Sequence, residues 1–106
     1  ASAAVYASGW LPQAAIARHP CVVAAMYHCG PNGLYELLAA GLPVLCSPFA
    51  FDQPENAHLL KDSGAGPQPV DPRHFESAEL ASRLGALLEN RSYAESAQRL
   101  QREMER

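Results

Sequence analysis

The sequence predicts an α/β layer, a parallel sheet with helices packed on it, and three observations carry that reading. Two short runs, Cys21 to Tyr27 and Pro43 to Cys46, are almost continuously apolar, as strands buried on both faces are. Helical patterns alternate with them. The crossovers are short, which suits parallel strands joined through helices. The chain has 106 residues, so it is at most one domain with a modest core.

Taken in order, Val5 to Ser8 is a weak strand ended by Gly9, and Trp10 opens a loop. Pro12 suits the first turn of a short helix reaching Arg18, which His19-Pro20 closes because a residue before proline avoids the helical region. The Cys21 to Tyr27 strand then feeds the turn His28-Cys29-Gly30-Pro31-Asn32-Gly33, and a helix runs from Leu34 to Ala40 until Gly41 stops it. After the strand Pro43 to Cys46 and a loop through Phe51, Asp52 is placed to cap a helix with Pro54 in its first turn and Glu55 three residues on. That helix ends at Gly64. Gly66 to Val70, broken by Pro67 and Pro69, belongs at a sheet edge or in a loop. From Ser77, Leu80, Leu84, Leu87 and Leu88 form one stripe, and a last helix from Ser92 carries Tyr93, Ala97, Leu100 and Met104, with Asn90 between the two.

Composition excludes several classes. Charged residues are 18% and apolar ones 48%, which is globular, and a net charge of -3 without a basic stripe argues against nucleic acid or an anionic membrane as partner. No apolar run is long enough to span a bilayer. Cys21, Cys29 and Cys46 match neither a disulfide framework nor a zinc pair; they read as reduced thiols in or near the core, which favours a cytoplasmic setting. His19, His58 and His74 have no partner at metal-ligand spacing, so no metal site is expected. The start, Ala1-Ser2-Ala3-Ala4, has no initiator Met and no signal-peptide character, and the chain is expected to be a segment of something longer.

Ligands of such sheets gather outside the carboxyl ends of the strands, and Trp10, His28 and the loop ending in Asp52-Gln53 each follow a predicted strand. At the central turn the first helical N–H groups lack partners and the helix dipole favours negative charge, which makes a seat for a diphosphate. Asn32 and Glu36, four apart, share one helix face beside His28. Each residue also has a purely structural reading. Trp10 is a flat ring able to stack on a nucleobase, or a packing aromatic. His28 is a donor to phosphate, or an imidazole satisfied by backbone. Glu36 is a carboxylate able to accept from both ribose hydroxyls, or an acid favourably placed near a helix N-terminus. Asp52 and Gln53 are ambiguous by chemistry alone, since Asp52 makes a good N-cap.

The order Trp10-Leu11-Pro12-Gln13, His28-Cys29-Gly30-Pro31-Asn32-Gly33 with Glu36, Gly41-Leu42-Pro43, and Pro48 through Asp52-Gln53 resembles the donor-binding signature of the UDP-dependent glycosyltransferases. The resemblance is dense over the first half of the chain. It implies the C-terminal, Rossmann-like half of a GT-B enzyme, incomplete here because two leading strands are missing ahead of Val5. It implies a UDP- or TDP-sugar donor with its base on Trp10 beside Gln13, its ribose on Glu36, its diphosphate on the turn from His28 through Gly30 and Asn32 to Gly33, and its hexose on Asp52 and Gln53. The implied reaction is an inverting transfer to a small-molecule hydroxyl, without cofactor or metal. The base for that step belongs to an absent N-terminal acceptor half, so residues 1–106 are a donor-binding segment with no catalytic residue of their own. The alternative is a noncatalytic nucleotide-sugar-binding module that needs a separate acceptor-binding partner. Two departures stand out: Gly33 replaces a common serine and loses a hydroxyl donor, and Pro31 has no N–H. The Phe49-Ala50-Phe51-Asp52-Gln53-Pro54-Glu55-Asn56 run is closer to bacterial natural-product enzymes than to plant ones.

Overall fold

Two parallel strands position everything that follows. The computed structural model describes residues 5–105, with elements in the order α1 (Gln13–Ala17), β1 (Ala25–Tyr27), α2 (Pro31–Ala39), β2 (Val44–Cys46), α3 (Gln53–Ser63), α4 (Ser77–Glu89) and α5 (Arg91–Met104). β1 and β2 pair with Ala25 opposite Val44, Met26 opposite Leu45 and Tyr27 opposite Cys46. The Ser47 N–H extends the ladder by donating to the Tyr27 carbonyl at 2.8 Å.

Side chains alternate across a strand, so β2 feeds two cores. Val44 and Cys46 pack with Leu34 and Leu37 of α2, Ala57 and Leu60 of α3 and Ala97 of α5. Leu45 faces the other way, onto Val70, Leu87, Leu80 and Leu84. All three β2 residues are at most 1% exposed, as expected for a strand covered on both faces. On the far edge of β2, the Val44 N–H donates to the Ala65 carbonyl and the Val70 N–H to the Cys46 carbonyl, each at 3.0 Å. The proline-broken segment therefore lies along an edge without becoming a strand.

Helix limits follow local chemistry. α2 starts at Pro31, three residues before the expected Leu34, because proline suits the first helical position, where its missing N–H costs nothing. Gly41 and Gly64 sit at φ 76° and 89°, the left-handed conformation that ends helices at no steric cost to glycine. Asn90 separates α4 from α5 and its side chain accepts from the Ser92 N–H at 3.0 Å.

Four expectations are corrected. Val5 to Ser8 is no strand; it is exposed and pairs with nothing among the described residues. The Cys21 to Tyr27 run forms a strand only from Ala25, and it is not buried on both faces: Val23 is 64% and Met26 44% exposed, because β1 has one neighbouring strand among the described residues. Leu88 points to solvent and leaves the α4 stripe. The cysteines are not all reduced: Cys29 and Cys46 form a disulfide across the ends of β1 and β2, with Cα atoms 5.9 Å apart, and Cys21 is exposed. Strand register brings positions 17 apart into bonding range, which spacing could not show. The cysteines thus no longer argue for a reducing compartment.

Candidate functional site

The turn after β1 is held from three sides. Cys29 has φ 72°, rare for a residue with a side chain, and it is fully buried. Its sulfur is tied to Cys46, and its carbonyl accepts from Asn56 Nδ2 of α3 at 3.0 Å. His28 Nδ1 accepts from the Gly30 N–H at 3.0 Å, which places the imidazole proton of the neutral ring on Nε2. The backbone bond therefore selects a donor at the outer nitrogen.

Gly30 is the N-cap of α2 and accepts the Leu34 N–H at 3.0 Å, while no side chain caps the helix. Pro31 contributes no N–H, so the first turn offers the N–H groups of Asn32 and Gly33 outward. Both belong to the positive end of the helix dipole. Asn32 is exposed, and Glu36, one turn on, is half-buried.

Beside this turn lies an open cavity of about 550 Å³, lined among others by Trp10, Gln13, Tyr27, Gly33 and Glu36. Three stretches remote in sequence meet there. Gln13 anchors them, because its Nε2 donates to the Gly33 carbonyl at 3.3 Å and so links α1 to the first turn of α2. Trp10 is 77% exposed, which leaves its ring available to a flat ligand.

The loop after β2 is built differently. Gln53 Oε1 accepts from the Phe49 N–H at 2.9 Å and the Ala50 N–H at 3.2 Å, folding the loop back on the start of α3 and leaving its Nε2 uncommitted. Asp52 occupies the N-cap position but makes no capping bond, which corrects the expected cap: its helical φ of -83° and ψ of -3° do not aim the carboxylate at the first-turn N–H groups. Asp52 is exposed. Asn56, three residues beyond Gln53 in α3, bonds to the turn after β1, but Asp52 and Gln53 do not line the Trp10 cavity. The structure thus gathers Trp10, Gln13, Gly33 and Glu36 around one cavity, while His28, Gly30, Asn32, Asp52 and Gln53 lie outside its lining.

Sequence reasoning missed Asn56 and Tyr27. Asn56 carried a signal, an amide one turn into a helix that starts beside the site. Tyr27 carried none, because a tyrosine ending an apolar run reads as core. Among the described residues no group of three or more His, Cys, Asp or Glu side chains could hold a metal ion.

Comparison with known proteins points to one family. A family model described as UDP-glucoronosyl and UDP-glucosyl transferase matches residues 2–104. Human UDP-glucuronosyltransferase 2B10 is 36% identical over 93 residues, covering 88% of this chain and 17% of that protein. Among solved structures, the spinosyn forosaminyltransferase SpnP aligns with a TM-score of 0.85 at 27% identity over 95% of this chain and 26% of its own. LpCGTa in complex with UDP aligns with a TM-score of 0.80 at 32% identity over 91% of this chain and 24% of its own. The chain spans less than a fifth of the length of the curated relatives it matches.

Proposed function

The chain belongs to the UDP-glucoronosyl and UDP-glucosyl transferase family, and from that premise we propose that it is the donor-binding segment of a glycosyltransferase, holding a UDP- or TDP-sugar for inverting transfer of a hexose to a small-molecule hydroxyl. The observation that carries this is the single cavity in which Trp10, Gln13, Gly33 and Glu36 meet beside an uncapped helix N-terminus. The chemistry of each group supports the reading. Trp10 offers a face for the base and Glu36 two acceptor oxygens for the ribose hydroxyls. The Asn32 and Gly33 N–H groups at the helix start and the Nε2–H of His28 are donors suited to diphosphate charge.

In transfer, the bond from the anomeric carbon to the diphosphate oxygen breaks and negative charge grows on that oxygen. Fixed N–H donors at a helix end stabilise developing charge without reorganising, so this segment would assist departure of the leaving group. Asp52 and the free Nε2 of Gln53 are available to sugar hydroxyls. The acceptor and the base that deprotonates it are assigned to an N-terminal half outside this chain.

A titration with UDP read through Trp10 fluorescence tests this, with circular dichroism confirming a folded sample. Saturable quenching is expected. No response from a folded sample would overturn the assignment.

A further inference from the structure

Gly33 is a position where one side chain excludes another. A Cβ there would overlap the hydroxyl of Tyr27, with the ring carbons Cζ and Cε2 behind it. Tyr27 is the last residue of β1 and is half-buried, and its ring lies on the imidazole of His28 with centroids 4.1 Å apart and planes tilted by 30°. Its backbone is fixed as well, since its carbonyl accepts the Ser47 N–H at 2.8 Å. The phenol is thus delivered from the strand to the first turn of α2, and Tyr27 and Gly33 line the same cavity as Trp10 and Glu36.

We propose that Tyr27 is a donor-binding residue, whose hydroxyl donates a hydrogen bond to a phosphate oxygen of the bound nucleoside diphosphate. The inference rests on the donor-site reading above. Three features favour phosphate over base or ribose as the acceptor. The hydroxyl lies over Gly33, whose N–H is one of the outward donors of the helix end. The ring is stacked on His28, whose Nε2 is left as a donor, so hydroxyl, imidazole and the Gly33 N–H would serve one anion. A phenol is also a stronger proton donor than an alkyl hydroxyl, and its bond to an ionised oxygen is charge-assisted. Tyr27 then supplies from the strand the hydroxyl that Gly33 lacks. Glycine at 33 is the condition for that ring position.

Calorimetry on the full-length protein with UDP and with uridine separates the possibilities. Tyr27→Phe keeps the ring and its packing, and it is expected to weaken UDP about tenfold while changing uridine less than about twofold. Gly33→Ser is expected to displace the ring and weaken UDP by a similar factor, and Tyr27→Thr combined with Gly33→Ser to recover most of that loss by removing the overlap and returning a hydroxyl. Wild-type UDP affinity in Tyr27→Phe, or equal losses for UDP and uridine, would overturn the assignment while leaving the donor site standing. A folded wild-type protein that binds neither ligand would overturn the donor site and this inference together.

Discussion

The turn after β1 and the loop after β2 begin alike and end differently. Each leaves the carboxyl end of a parallel strand, enters a helix, and passes through one non-glycine residue in left-handed backbone, Cys29 at φ 72° and Phe51 at φ 60°. Such a residue costs on the order of 1–2 kcal/mol and persists only where its surroundings hold it. Cys29 is held by a disulfide, a half-buried amide bond and complete burial. Phe51 is 93% exposed, and its loop is closed by Gln53, through its side chain and its backbone N–H. The first is built to be rigid and the second to adapt. On the proposed reading, rigidity serves the diphosphate, which every nucleotide-sugar donor shares, and adaptability serves the sugar, which varies among them.

The largest test of that contrast is reduction of the Cys29–Cys46 bond. A disulfide closing a loop between residues 17 apart in sequence contributes about 3 kcal/mol in the chain-entropy account. Thermal melting with and without reductant should show a drop of roughly ten degrees or more for a domain of this size. UDP affinity should fall with it. A melting curve indifferent to reductant would remove the main difference between the two regions.

Next is Asn56→Ala, which leaves the carbonyl of buried Cys29 without its donor and should cost about 1–2 kcal/mol by denaturant unfolding. Asn56→Asp, which offers an acceptor to an acceptor, should be no milder. An unchanged midpoint in either variant would mean that the turn does not need α3.

How far the sequence could be read divides along the same line. Local signals were legible: Gly41 and Gly64 mark helix ends through their own backbone freedom, and Asn90 marks the α4–α5 break. The turn proposed to seat the diphosphate was legible as a structure because its strand, glycine-bearing turn and helix start are contiguous. What depended on pairing was not. The Cys29–Cys46 bond needs the register of β1 on β2, the overlap of Tyr27 with Gly33 needs the strand end folded over the helix start, and the reach of Asn56 needs α3 docked on the turn. The strand expected at Val5 to Ser8 failed for the same reason, since an apolar run becomes a strand only where a neighbour pairs with it.

On the adaptable side, Gln53→Ala removes the bonds to the Phe49 and Ala50 N–H groups and should cost about 1 kcal/mol, because those groups turn to water rather than staying buried. Its mark should be on ligand discrimination: UDP affinity unchanged, UDP-sugar affinity lowered. The smallest expected stability effect is Asp52→Ala. A working aspartate cap loses about 1 kcal/mol on truncation, but Asp52 makes no capping bond and is exposed, so its removal should shift stability by less than about 0.5 kcal/mol. If the carboxylate serves the sugar, transfer activity falls while the unfolding midpoint stays put. A loss of a full kcal/mol would show that the carboxylate does anchor α3, making the second loop less free than its exposure implies.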